Sequence, residues 1–150
     1  KLSDFRIQGS LSLILKEGSF IGNFDFKNSY TSSVFIVRDY FGNQVFQDDL
    51  KNTKIRDLYS VLSASETDYG FFESNQIDFI DWLLATPSDV NHQQLTFDDR
   101  GWLVEIKYPD LTISYDSFQE LNNVVIPRKI IILGQSFRLT LVSNRLENVS

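Results

Sequence analysis

Apolar side chains in this chain recur at every second position, and that spacing limits the fold more than any other feature. Phe5, Ile7, Gly9, Leu11, Leu13 and Leu15 share one parity. So do Phe20, Gly22, Phe24 and Phe26, with Asn23, Asp25 and Lys27 on the other. A period of two belongs to the extended strand, whose side chains point alternately to opposite faces. A sheet is therefore expected with one apolar and one polar face, which is the antiparallel pattern. Turn residues at Lys16-Glu17-Gly18-Ser19, Asn28-Ser29 and Asp39 to Asn43 divide the first third into four strands in meander order.

The period changes in the middle. Ile55, Leu58 and Leu62 fall at helical spacing and predict a short helix over residues 52–63. A second helix is expected from a cap at Ser74, with Ile77, Ile80, Trp82, Leu83 and Leu84 on its broad face and an end at Thr86-Pro87. Strands resume at Leu95 and Phe97 and turn at Asp98-Asp99-Arg100-Gly101. Trp102, Val104, Ile106 and Tyr108 then form the returning face, followed by Leu111, Ile113 and Tyr115. Residues 116–123 read as a loop, and two last strands cover residues 124–133 and 137–143. The expected fold is mainly β: a curled antiparallel sheet of about nine to eleven strands forming an unclosed barrel, with a helical lid over one opening. No repeat, linker or low-complexity stretch divides residues 1–150, so one domain is expected.

One turn breaks its own chemistry. Asp39, Gly42 and Asn43 suit a tight hairpin, because such residues tolerate positive φ. Tyr40 and Phe41 between them do not belong to it. An exposed Phe41 leaves ~1.5–3 kcal/mol of burial energy unused. An apolar tip of this kind fits a membrane or partner. The alternative is that both rings fold back onto the sheet.

Composition removes several functions. With 20 acidic and 14 basic residues the net charge is −6, and no basic cluster occurs. Phosphate affinity comes from Lys and Arg, so no nucleic-acid partner is expected. Electrostatic adhesion to anionic lipid is equally disfavoured, and any membrane contact is expected to be mainly apolar. The absence of Cys excludes disulfides, thiolate nucleophiles and Cys-ligated metals. His92 is the only histidine, in a polar run, and reads as solvated surface. Asp98-Asp99 and Asp48-Asp49 read as turn or strand-end residues rather than paired catalytic acids. No nucleophile elbow, phosphate loop or dinucleotide motif occurs. No catalytic residue, metal ligand or cofactor is assigned. No run reaches the ~18 consecutive apolar residues of a membrane-spanning helix. A chain beginning at Lys1 without Met is expected to be processed or trimmed, with any signal peptide or lipidated cysteine upstream.

Several segments taken together resemble the LolB family. They are Phe5-Arg6-Ile7-Gln8-Gly9-Ser10-Leu11, Phe79-Ile80-Asp81-Trp82-Leu83-Leu84-Ala85-Thr86-Pro87 and Leu95-Thr96-Phe97-Asp98-Asp99-Arg100-Gly101-Trp102-Leu103-Val104-Glu105-Ile106-Lys107-Tyr108. Near the end come Ile126-Pro127-Arg128-Lys129-Ile130-Ile131-Ile132 and Phe137-Arg138-Leu139-Thr140-Leu141. The family comprises outer-membrane lipoprotein receptors of Gram-negative bacteria. They accept lipoproteins from the periplasmic chaperone LolA and insert them into the outer membrane. The resemblance implies an unclosed antiparallel barrel with a helical lid over a hydrophobic cavity. It also implies a protruding loop between the third and fourth strands with an apolar residue at its tip. Here Tyr40, Phe41 and Gly42 occupy that place, with Tyr-Phe where the family typically has leucine, often after proline. Residues 52–72 form a shorter lid region than the family leads one to expect, and the family's acylated cysteine has no counterpart in this sequence.

The function implied is acceptance of acylated lipoproteins in a hydrophobic cavity and their insertion into the inner leaflet of the outer membrane, by a monomer at its periplasmic face. The partners implied are a LolA-like periplasmic chaperone and the lipoprotein cargo. Candidate cavity residues are Phe24, Phe26, Phe35, Val37, Ile80, Trp82, Ile106, Tyr108, Ile113, Ile131 and Leu139. An alternating pattern marks an inner face without showing a void, so these residues equally suit a filled core. Two other functions stay open: a lipocalin-like carrier of a small apolar ligand, and an outer-membrane assembly factor that binds no lipid.

Overall fold

A computed structural model describes residues 4–16, 18–49, 83–85, 94–109, 111–121 and 123–148. Among them nine strands form one antiparallel sheet. They are β1 (Phe5–Leu15), β2 (Gly18–Asn28), β3 (Ser33–Asp39), β4 (Gln44–Asp49), β5 (Gln94–Phe97), β6 (Leu103–Lys107), β7 (Thr112–Leu121), β8 (Val124–Leu133) and β9 (Phe137–Asn148). The spatial order is β4-β3-β2-β1-β9-β8-β7-β6-β5. Two meanders thus meet where the first and last strands pair. Among the described residues the sheet is not closed, and β4 and β5 are its two edges.

The period-two pattern becomes alternating burial. Along β1, Phe5, Ile7, Leu11 and Leu13 are buried while their neighbours are not. Register then lines up inward rows across strands. Ile106, Ile113, Ile132, Leu139 and Leu13 are successive partners from β6 to β1. Every strand except β5 contributes to one buried cluster, which Leu83 joins from the chain between β4 and β5. A lone sheet buries a face only by curling or being covered.

At the centre sits Gly9. A Cβ here would collide with the Val142 carbonyl and come within 2.9 Å of the Phe24 ring. Its cross-strand partner is Phe24. The missing side chain therefore lets an aromatic lie over β1, the usual use of a strand glycine. Phe24 stacks on Phe35 at 5.7 Å, and Phe26 meets Phe5 edge-on at 5.7 Å.

Bulges and strand limits account for the departures from the sequence pattern. On β6 a register shift between Thr96 and Phe97 of β5 leaves Leu103 and Ile106 buried, with Trp102 and Val104 only half-buried. The expected simple alternation of Trp102, Val104 and Ile106 fails because a bulge advances the phase by one residue. Residues 116–121, expected as loop, continue β7, with Ser117 at φ 55° as the irregular point. On β8 the inward residues are Ile130 and Ile132; Ile131 pairs Ser114 and Thr140 on the outer face. A run of three isoleucines has no polar member to fix its phase. β9 extends to Asn148 rather than ending at residue 143.

The described residues show no helical lid. The first expected helix, and most of the second with Ile80 and Trp82, lie outside them. Leu83 has helical geometry and is buried, and Ala85 at φ 57° adopts the left-handed conformation at which helices commonly end.

Candidate functional site

The β3–β4 turn is held by one carboxylate. Asp39 Oδ1 accepts from the backbone N–H of Phe41 and of Asn43, both at 2.9 Å. Its Oδ2 accepts from Asn43 Nδ2 at 3.3 Å. Main-chain bonds complete the frame: Gly42 N–H donates to the Asp39 carbonyl at 3.0 Å, and Asp39 N–H donates to the Asn43 carbonyl at 2.8 Å. Gly42 sits at φ 88°, a left-handed position favouring glycine. No side chain of Tyr40 or Phe41 takes part in these bonds; Asp39 and Asn43 supply the polar side chains.

Tyr40 and Phe41 are left to the solvent. They are 80% and 84% exposed, with rings edge-to-face at 5.7 Å. The rings do not fold back onto the sheet. They shield each other in part, and the pair presents a compact apolar tip on a rigid base.

The buried apolar face of the sheet forms the second part of the candidate site. Phe24, Phe26, Phe35 and Val37 are buried on β2 and β3. Ile106, Tyr108, Ile113 and Leu139 are buried on the other half of the sheet. Sequence reasoning thus gathered eight residues that the fold places in one apolar cluster. It misplaced Ile131, and Ile80 and Trp82 lie outside the described residues. It missed Leu103, Ile130, Ile132 and Leu141, which are buried on the same face. The parity of Ile130 and Ile132 in β8 was readable only against a known register.

Two polar contacts sit within or beside this apolar face. Ser143, buried on β9, receives a 2.9 Å hydrogen bond from Gln119 Nε2 of β7. Ser33 Oγ, also buried, donates to Asn28 Oδ1 at 2.5 Å. Both satisfy what would otherwise be costly buried hydroxyls. On the outer face Arg6 forks onto Asp25, Nε to Oδ1 at 2.9 Å and Nη2 to Oδ2 at 2.5 Å. That pairing and the nearby Asp25 charge raise the Arg6 pKa above its ordinary value. Among the described residues no cluster of His, Cys, Asp or Glu is arranged to hold a metal ion.

Residues 77–145 match the family model described as outer membrane lipoprotein LolB. Over these residues, a little under half of the chain, the sequence is similar to that family. No protein of curated function matches the sequence. Among solved structures, a DUF1329 family protein from Desulfovibrio piger is similar in fold, with a TM-score of 0.55 at 6% identity over 99% of this chain and 86% of that one. A LolA superfamily protein from Nitrosomonas europaea aligns with a TM-score of 0.47 at 10% identity, over 99% of this chain and 87% of that one. The LolB match takes in β5 to β8 and most of β9, and stops short of the aromatic turn, which lies on the other meander.

Proposed function

We propose that this LolB-like chain accepts acylated lipoproteins from a LolA-like periplasmic chaperone and passes them into the inner leaflet of the outer membrane. In this reading it works as a monomer at the periplasmic face of that membrane, lipid-anchored in the full-length protein. The observation that carries the reading is the exposed Tyr40–Phe41 pair on a turn whose own bonds do not need it. Such a tip serves an apolar surface that the protein meets only during function.

The energetics favour a carrier with no fuel. Each buried methylene of an acyl chain is worth about 0.8 kcal/mol, so a multiply acylated cargo does not cross water unaided. The buried apolar face, with Phe24, Phe26, Phe35, Val37, Ile106, Tyr108, Ile113 and Leu139, is the apolar surface we assign to the acyl chains, together with Ile80 and Trp82 from the connecting segment. Transfer then runs downhill, from donor to this face to bilayer. Phe41 alone contributes only about 1.5–3 kcal/mol on insertion, too little to anchor a protein but enough to disturb the interface.

The test is a transfer assay. A periplasmic chaperone loaded with an acylated lipoprotein is mixed with this chain, and the cargo is followed by pull-down and then into vesicles. Cargo is expected to move to the wild-type chain and onward. Phe41→Glu is expected to accept cargo and fail at insertion. No acceptance from a competent donor by the folded chain would favour a lipocalin-like carrier of a small apolar ligand or a non-lipid-binding assembly factor.

A further inference from the structure

The outer face of the sheet is not uniform. Strand order and register put the turns at residues 16–17, 40–43 and 134–136 at one end of the strands, together with the β6–β7 connection. At this end the outer row reads Lys107, Thr112, Leu133, Arg138, Ile14, Ser19. The next outer row contains Ile131, Thr140, Ser12 and Ile21. Ile14 is 51% exposed, Ile21 61% and Leu133 52%. Of the other large apolar side chains exposed among the described residues, Tyr40 and Phe41 also lie at this end. Tyr30 and Phe97 lie at the other, and Leu95 is on the edge strand.

Cations stand among these exposed apolar residues. Lys16, Lys107 and Arg138 are exposed at the Phe41 end, where the two outer rows contain the single acid Glu105 among the described residues. Asp39 lies in the adjoining β3–β4 turn, bonded to its backbone, and Glu17 and Asp110 fall outside the described residues. Toward the other end the outer face carries Asp25, Asp49, Asp116 and Glu147 together with Arg6, Lys27, Lys129 and Arg145. A chain of net charge −6 thus leaves its exposed isoleucines beside cations.

Register also fixes reach. The last β2–β3 pair is Gly22 with Asp39. Beyond it β2 continues through Ile21, Phe20, Ser19 and Gly18, about 13 Å of strand. Beyond Asp39 the β3–β4 hairpin has only Tyr40-Phe41-Gly42 before it returns. The β1–β2 hairpin therefore extends at least as far along the strands as the aromatic tip, and Ile21 flanks Tyr40. A flat surface met by Phe41 at this end is also met by its neighbours.

We propose that the outer sheet surface around Ile14, Ile21 and Leu133, with Arg138 and Lys107, lies against an anionic phospholipid leaflet alongside the hairpin tip. The proposal rests on the membrane-contacting reading of Phe41 and extends it from a point to a face. Isoleucine and leucine enter the acyl boundary, while Lys and Arg keep their charges at the phosphates with their stems along the apolar surface. Electrostatic attraction acts locally, because a charge is felt only within about a Debye length, ~10 Å at moderate salt.

The Cys-free chain permits single-site labelling. Ile21→Cys, Leu133→Cys, Phe41→Cys and Tyr30→Cys variants carrying an NBD fluorophore are mixed with phosphatidylethanolamine vesicles, with and without phosphatidylglycerol. Emission at positions 21, 133 and 41 is expected to shift to the blue and to be quenched by doxyl lipids; position 30 is expected to stay unchanged. In the unlabelled chain, Lys107→Glu with Arg138→Glu is expected to weaken partition onto anionic vesicles by at least about fivefold per position. A response at 41 with none at 21 and 133 overturns the face and leaves the tip reading intact. A response at 21 and 133 with none at 41 leaves the face and overturns the tip. Silence at all of them overturns both. A change at 21 and 133 that depends on protein concentration and not on vesicles means a second copy covers the surface, and also overturns the proposal.

Discussion

The β3–β4 and β5–β6 turns share one backbone and carry opposite side chains. In the second, Asp98 Oδ1 accepts from the N–H groups of Arg100 at 2.9 Å and Trp102 at 3.0 Å. Gly101 N–H donates to the Asp98 carbonyl and Asp98 N–H to the Trp102 carbonyl, each at 2.9 Å. Gly101 sits at φ 83°. Position for position these are the bonds made by Asp39, Phe41, Gly42 and Asn43. The third residue separates the two turns. Arg100 folds back, donating to Asp98 Oδ2 at 3.0 and 2.6 Å and lying 3.7 Å over the Trp102 ring. Phe41 has only Tyr40. The same frame supports either residue, so turn stability does not explain the aromatic pair. The two turns also sit at opposite ends of the strands, and the apolar outer surface is at the end with Phe41.

Exchanging the tips is the strongest way to break this comparison. Tyr40→Asp with Phe41→Arg is expected to reduce insertion of cargo into vesicles more than about tenfold while changing stability by less than about 0.5 kcal/mol. A loss of stability above that, measured by urea denaturation, would show that the rings do support the fold. The aspartates come next. Asp39→Ala and Asp98→Ala each free two backbone N–H groups, and each is expected to cost about 1–2 kcal/mol. Asp98→Ala should cost more, because it also releases Arg100. Equal losses would mean the Arg100 contacts contribute nothing net. Gly42→Ala and Gly101→Ala force a side chain into the left-handed region with open space around it, so each is expected to cost about 1 kcal/mol, by the same amount at both turns.

The smallest effect is with pH. Burial opposes ionisation of Asp98, but the Arg100 guanidinium and the two backbone donors outweigh it and hold the carboxyl below its ordinary value of 3.8. A depressed folded-state pKa adds stability above the unfolded value, and that stability is lost as pH falls through the folded one. The β5–β6 turn is thus expected to loosen only below about pH 4, as seen in the amide shifts of Arg100 and Trp102. Asp98→Asn should abolish that acid-dependent change.

Much of the sheet was legible because strict alternation has one physical meaning. β1 to β4 follow their pattern nearly residue for residue, and the rings of Phe24, Phe26 and Phe35 lie on the face their spacing assigns. The second half was less legible. At Leu103–Val104 a bulge changed the phase, and at Ile130–Ile132 there was no polar residue to set it. The aromatic tip could be located by its mismatch with turn chemistry, but the equivalence of Asp39 and Asp98 emerges only from the hydrogen bonds. The outer apolar surface was hidden for another reason. Leu133 is far from Ile14 and Ile21 in sequence and joins them only through the pairing of β8 with β9 and of β9 with β1.

That same central pairing bears on how the chain folds. Phe5 and Asn148 are register partners at the middle of the sheet, so the first and last described strands lie side by side. Their zipping must close a loop that runs from Leu15 to Phe137, whereas every other pairing along the sheet joins sequence neighbours. Joining the two ends through a short linker and opening the chain between β4 and β5 would give a circular permutant with strands running β5 through β9 and then β1 through β4. Each strand would then pair only with its predecessor and successor. The permutant should reach the same sheet with lower contact order, and fold faster.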